Sequence, residues 1–284
     1  MKTFWLASYP KSGNTWFRVF LANLLCPDQA PVDPNKLPLS NLIASARSPF
    51  HEIVGVPPAL LTPEEYDSLR PGVDRVVARD WTKSPCLRKA HDAYTFLPDG
   101  RPLMGVRPDF AAIYILRNPW DVAVSAANHW GKTLEQTVEL MCRDNTALEN
   151  RKDRASIQFR QRLLSWSGHV ESWLKAPLDV CILRYEDLHS APMVSFRSAL
   201  EFMSIQANDD QIEKAIEASR FERLQNIEQT HGFTEAARYR RFFRSGQMGE
   251  GRQRLARRDQ EKLGEQNERV EALLEEFRKD KAQP

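Results

Sequence analysis

The stretch that most constrains the fold lies at the start of the chain. FWLASY at 4–9 is a short apolar run, and Asn14–Leu25 repeats Trp16, Phe17, Phe20, Leu21 and Leu24 along one helical face, with only PKSG between them. The order is strand, turn, helix. Such a turn aims several unpaired backbone N–H groups at one spot, where the helix dipole adds partial positive charge, an arrangement that suits phosphate or sulfate. Gly13 allows close backbone approach, Lys11 supplies a compact cation, and Ser12, Asn14 and Thr15 add polar contacts. The GxxxxGK[ST] nucleotide loop is absent, because Lys11 precedes Gly13. On its residues alone the stretch is either an anion site or a polar turn with a helix cap.

The rest of the chain repeats this alternation. CLRKAHD, opening after Pro85, reads as a short strand that delivers His91, following a helix marked by Val73, Val76, Val77 and Trp81. AAIYILR at 111–117 reads as a central strand, and NPWDVAVSAANHW places Pro119 in the first turn of a helix. Residues 155–174 read as one helix through Leu163, Trp166, Val170 and Trp173, DVCILRYEDL as a strand, and 190–228 as helices. Val270, Leu273, Leu274 and Phe277 mark an amphipathic helix near the end of the 252–284 segment. Strands alternating with helices predict an α/β fold with a mainly parallel central sheet covered on both faces. With no repeat or linker, the 284 residues read as one domain over 1–284. Residues 26–70, rich in Pro, Asp and Ser, and 92–108 read as irregular excursions bordering a pocket.

Charge and cysteine usage narrow the functional classes. Forty Lys and Arg against 38 Asp and Glu give no global reason to expect a polyanionic partner. Four scattered cysteines, no secretion signal and no apolar run near 20 residues point to a reduced, cytoplasmic protein without integral membrane association. The six histidines form no HExxH, and no GxSxG elbow is present, which argues against metal hydrolysis and triad chemistry.

YPKSGNTW at 9–16 resembles the 5′-phosphosulfate loop, usually YPKSGTTW, of the cytosolic-type sulfotransferases, which use 3′-phosphoadenosine 5′-phosphosulfate (PAPS). RKAHDAY at 88–94 resembles their KTH segment, LRNPWDVAVSAANH at 116–129 their 3′-phosphate motif, and FFRSGQMGEG at 242–251 their late FxRKGxxGDW segment. The resemblance implies a P-loop-like fold and a sulfuryl transfer to a hydroxyl of a small-molecule or natural-product acceptor, leaving adenosine 3′,5′-bisphosphate and requiring no metal. It implies His91 as base, Lys11 and Lys89 as leaving-group cations, and Ser12, Gly13, Asn14 and Thr15 as the loop around the 5′ end. Arg117, Ser125, Arg244, Ser245 and Gly246 fall on the 3′-phosphate ligands, Trp16 and Phe221 on the pair that sandwiches adenine, and Tyr185 and Ser219 on contacts near the base. Asn14, Ala90, Ser245 and Gly251 depart from the family pattern.

Read singly, these residues keep plainer roles open. His91 can serve a backbone hydrogen bond, Lys11 and Lys89 can be solvated, Arg117 can pair with Asp121, and Ser125 can face solvent. The eight arginines of 238–258 can form a nucleic-acid face, a solvated loop or a flexible cover. The resulting alternatives are a small-molecule kinase, which would need Mg²⁺, and a noncatalytic nucleotide- or RNA-binding module. The sulfotransfer reading implies no nucleic-acid partner and leaves monomer and homodimer open.

Overall fold

Four parallel strands carry the molecule. In a computed structural model describing residues 2–29, 31–37, 43–81, 85–149, 157–236 and 240–282, β1 (Thr3–Ser8) is flanked by β2 (Cys86–Ala90) and β3 (Phe110–Leu116), and β6 (Asp179–Arg184) closes the order β2-β1-β3-β6. Leu6 is level with both Lys89 and Ile113, so three strands end together at one carboxyl edge. Alternation sorts the strand residues between two cores. Phe4, Leu6, Ala111, Ile113 and Ile115 pack one face, and Trp5, Ala7, Ala112, Tyr114 and Leu116 the other. This is the α/β architecture expected from the sequence, in one domain.

Helices follow from the same pattern. α1 (Asn14–Leu25) has the expected bounds. With the later helices α8 (Pro192–Phe202) and α9 (Asp209–Ala218) it covers one face of the sheet through Phe17, Phe20, Phe196 and Ile212. The opposite face is covered by α4 (Pro119–Trp130), α5 (Leu134–Met141), α6 (Trp166–Leu174) and α12 (Arg257–Ala282) through Val122, Val138, Trp166, Trp173, Val270 and Leu274. Pro119 sits in the first turn of α4, and Asn118 caps it by accepting from Asp121 N. Two short helices, α7 (Tyr185–Ser190) and α10 (Phe221–His231), border the carboxyl edge, as does the single turn α11 (Glu250–Arg254).

Two sequence readings are corrected. The helix assigned around Val73 is α3 (Pro63–Asp80), preceded by α2 (Arg47–Val54). α3 begins at a Thr62–Glu65 capping box, carries Pro71 inside it and stops at Asp80 rather than at Pro85. The helix expected over 155–174 is confined to α6, and residues 155 and 156 lie outside the described residues. Gln161 and Arg162 form β5, antiparallel to β4 (Ala147–Leu148), while Leu164 takes a positive φ and Ser165 caps α6 at Gly168 N. Hairpin pairing outcompetes the helical period there.

A buried charge network fixes the outer edge of the sheet. Arg70 of α3 pairs with Asp92, just past β2, at 2.7 Å, Asp67 receives Arg160 and Arg162 at 3.2 and 2.9 Å, and Asp74 pairs with Arg88 at 2.8 Å. Removing one partner strands a buried charge. Arg70→Met is therefore expected to lower stability by about 3–5 kcal/mol, read as a lower urea midpoint with an unchanged m-value.

Candidate functional site

The loop between β1 and α1 is built for close approach. Lys11 and Gly13 both take positive φ, 72° and 111°. Gly13 is required twice over, since a Cβ there would lie 2.7 Å from Tyr185 Cδ2. As the N-cap it brings no side chain to the first-turn N–H groups, which leaves them to a ligand. Asn14 Nδ2 donates to Leu6 O at 3.0 Å and Ser8 Oγ at 3.3 Å, lacing the turn to β1. Ser12 Oγ and Asn14 Oδ1 are buried without a hydrogen-bond partner.

This loop opens into a cavity of about 1080 Å³. Lys11, Gly13, Asn14, Thr15 and Trp16 line it from the loop, Lys89 and His91 from the end of β2, and Arg117 and Ser125 from the end of β3 and α4. Tyr185, Phe221, Arg244, Ser245 and Gly246 complete the set. Ser12 and Ser219 do not line it. Ser219 is fully buried, and its hydroxyl donates to Ile216 O at 3.0 Å as the C-cap of α9.

At the reaction end, His91 Nδ1–H donates to Ser8 O at 2.9 Å, which leaves Nε2 as the acceptor of the neutral ring. Burial first, and then the Lys89 charge, lowers the His91 pKa to about 3, so the ring is neutral at ordinary pH. Its backbone is held from behind: buried His169 donates from Nε2 to His91 O at 3.1 Å, and its Nδ1 accepts from Tyr114 at 2.8 Å. Lys11 Nζ lies 3.2 Å from the centroid of the Phe242 ring. Burial, then Lys89 and Arg117, lowers its pKa to about 7. Lys89 Nζ is 2.7 Å from Glu235, which also receives Arg18 at 2.7 Å. Together the two cations overcome burial and hold the Glu235 carboxyl well below its usual range. His129, one turn after Ser125, also lines the cavity, and burial followed by Lys11 lowers its pKa to about 4.

At the other end, Arg117 lies 4.1 Å over the Tyr185 ring and donates to Lys11 O and Gln247 O, while its Nε is buried without a hydrogen-bond partner. Asp121 accepts from Gly249 N and Gly251 N, each at 2.8 Å, pinning the turn before α11. Gly251 packs on the Trp120 backbone so closely that a Cβ would come within 2.2 Å of it. Arg244 is clasped by Glu250, which also takes Ser245 at 3.1 Å and Arg254 at 2.8 Å. Arg244 thus meets an internal carboxylate.

Of the expected aromatic pair, Trp16 lies against His189 at 4.7 Å, and Phe221 lies under Gly246, whose Cβ would fall 2.7 Å from the ring. Trp16 Nε1 and His189 Nε2 are buried without a partner. Beyond His91, the cavity is lined by Ile43, Leu148, Gln158 and Gln161. No lining residue comes from 92–108, where Tyr94, Leu97, Leu103 and Met104 turn into the core. Sequence reasoning passed over Arg18, His129, His189, Glu235 and Glu250. Two of these stood in recognised motifs, Glu250 at the acidic position of the FxRKGxxGDW pattern and His129 at the end of the 116–129 stretch.

A sulfotransferase domain model matches residues 1–277, and the chain belongs to the sulfotransferase family. It is 26% identical over 225 residues to sulfotransferase 4A1 of Mus musculus, covering 75% of this chain and 63% of that protein. It is 26% identical over 223 residues to sulfotransferase 1A1 of Rattus norvegicus, covering 77% and 65%, so the matches span less than two thirds of these relatives. With cytosolic sulfotransferase 16 of Arabidopsis thaliana it shares 26% over 292 residues, 98% of this chain and 76% of the relative. Among solved structures, mouse sulfotransferase SULT7A1 complexed with PAP superposes with a TM-score of 0.57 at 19% identity, covering 96% and 88% of the two chains. Retinol dehydratase in a complex with retinol and PAP gives 0.58 at 19%, covering 99% and 82%. At such identities the structural likeness is one of fold.

The lowered Lys11 pKa has a stability signature. Between about 7 and the ordinary lysine value of 10.5, the unfolded chain binds the proton that the folded chain has released, so this site's contribution to stability rises with pH across that window. The urea midpoint of the native protein is expected to gain on that of Lys11→Met between pH 7 and pH 9.5.

Proposed function

We propose that the chain transfers the sulfuryl group of PAPS to a hydroxyl of a small-molecule acceptor and releases adenosine 3′,5′-bisphosphate. The observation that carries this reading is convergence: the 9–16 loop, Lys89 with His91, Arg117 with Ser125, and 244–246, remote in sequence, line one cavity. The buried, unpartnered Asn14 Oδ1, Trp16 Nε1, Arg117 Nε and His189 Nε2 of residues lining that cavity suit a polar, multiply charged nucleotide. When bound, PAPS supplies sulfur whose bond to the phosphate oxygen breaks as the acceptor oxygen attacks.

Each residue then has a defined task. His91, neutral and with Nδ1–H committed to Ser8, takes the hydroxyl proton at Nε2. Lys11 and Lys89 face the oxygen on which charge develops, and a charged lysine is favoured there because negative charge grows as the bond breaks. Arg117 and Ser125 hold the 3′-phosphate, joined by Arg244 and Ser245 once these exchange Glu250 for it. The residues beyond His91, aliphatic and amide, receive the acceptor. Fixed cations and N–H groups carry the charge stabilisation, so transfer is expected to persist in chelator, whereas a kinase would lose activity.

Calorimetry with adenosine 3′,5′-bisphosphate and adenosine 5′-phosphate tests the donor assignment. A strong preference for the bisphosphate is expected, and Arg117→Ala should weaken it by about 1.5–3 kcal/mol while leaving the monophosphate little changed. Equal affinity in the folded native protein would sink the reading. Glu250→Gln, which removes the internal competitor for Arg244, is expected to tighten bisphosphate binding roughly tenfold, about 1.4 kcal/mol, with little effect on the monophosphate.

A further inference from the structure

We infer that Glu235 is a positioning residue of the reaction centre, holding the Lys89 ammonium in place two residues before His91 while Arg18 fixes Glu235 in turn. The inference rests on the sulfotransfer reading for its chemical purpose, but its geometry is independent of that reading. One carboxylate oxygen accepts from Lys89 Nζ at 2.7 Å and the other from Arg18 Nη1 at 2.7 Å. The carboxylate plane is thereby set from two sides. Arg18 is nearly buried and comes from α1, the helix that opens at the anion loop, and the Lys89 side chain is only 12% exposed. The triad therefore ties α1, β2 and the 232–236 segment together at the cavity.

Glu235 is delivered by a built turn. Asn35 brackets it from below, donating from Nδ2 to Gly232 O at 2.9 Å and accepting from Thr234 N at 2.8 Å. Between those bonds Phe233 packs on Phe242 and Phe243, with ring centroids 4.8 and 5.2 Å away. A carboxylate placed by a bonded turn and a packed ring is preorganised, which distinguishes it from a loop side chain that finds a cation by chance.

Lys89 needs that carboxylate. Burial disfavours its charged form, and the groups facing it are mostly cationic or neutral: Lys11 from the loop, Arg18 from α1, His91 beyond β2 and His129 from α4. Glu235 opposes them. Without it the side chain is free to change rotamer and to release its proton, and a neutral amine cannot offset charge growing on a departing oxygen.

The full-length chain, labelled with ¹³C at lysine Cε, allows the Lys89 titration to be followed by NMR, with Lys89→Arg assigning the resonance. Glu235→Gln is expected to lower the Lys89 midpoint by one pH unit or more, and Glu235→Asp to recover about half of that loss. Calorimetry of adenosine 3′,5′-bisphosphate in two buffers of different ionisation enthalpy should show added proton uptake on binding to Glu235→Gln at a pH between the two midpoints. An unmoved Lys89 midpoint in folded Glu235→Gln overturns the inference. Should that variant not fold, a Glu235→Asp midpoint equal to that of the native protein does the same. Failure of the native protein to bind the bisphosphate would instead strike the donor reading, and the lysine titration would still decide the role of Glu235.

Discussion

The structure depends on the cost of gathering Lys11, Arg18, Lys89 and Arg117 at one edge of a buried parallel sheet. Cations taken out of water are tolerated only where fixed groups or a bound anion answer them. The sheet makes the gathering unavoidable: β1, β2 and β3 end in register, so whatever follows each strand meets the others. The apolar faces of the sheet then prevent the charges from relaxing inward. Part of the answer is supplied internally, with Glu235 on Lys89 and Arg18, and Glu250 on Arg244 and Arg254. The remainder, at Lys11, stays under-compensated, as its lowered pKa records. An anion of the right shape would remove that imbalance, which is how a fold comes to favour a ligand.

Both internal carboxylates belong to 232–250, the stretch that also brings Phe242, Phe243 and Gly246 to the cavity. They are held differently. Glu235 sits on a bonded turn with its two cations fixed in α1 and β2, whereas Glu250 clasps Arg244 and Ser245, which are its near neighbours in the chain. The first arrangement suits a carboxylate that stays in place during a reaction. The second suits one that yields to a phosphate, because the arginine and its partner can part locally while Asp121 keeps the turn pinned.

Much of the fold was legible because it is written in local periods. The strand at 4–9, the helix at 14–25, the strand ahead of His91 and the proline-started α4 all follow from spacing and caps. Legibility failed where local signals conflicted: Pro71 broke the pattern of α3, and the apolar spacing of 155–174 concealed a hairpin that only tertiary pairing reveals. The loop and its cations could be read from the resemblance, yet no strand pattern tells which face Lys89 presents. Glu235 was invisible for a plainer reason, since it stands 146 residues from Lys89 and 217 from Arg18 in a stretch without a motif. Ser219 is the converse case, a hydroxyl that the resemblance places near the base and that here donates to Ile216 O at the end of α9.

The departures from the family pattern are each absorbed by a neighbouring contact. Asn14 uses its amide to lace the loop to Leu6 and Ser8. Gly251 gives up an aromatic ring and lets the turn sit directly on the Trp120 backbone, while Arg252 covers the Trp120 ring at 3.6 Å. Ala90 is buried against the core, where β-strand packing rather than chemistry sets its size. Ser245 removes a cation from the far end of the cavity and leaves Arg117, Arg244 and the pinned turn to define it. The changes thus trade the atoms that hold the loop and the turn while Lys11, Lys89, His91, Arg117 and Arg244 still line one cavity.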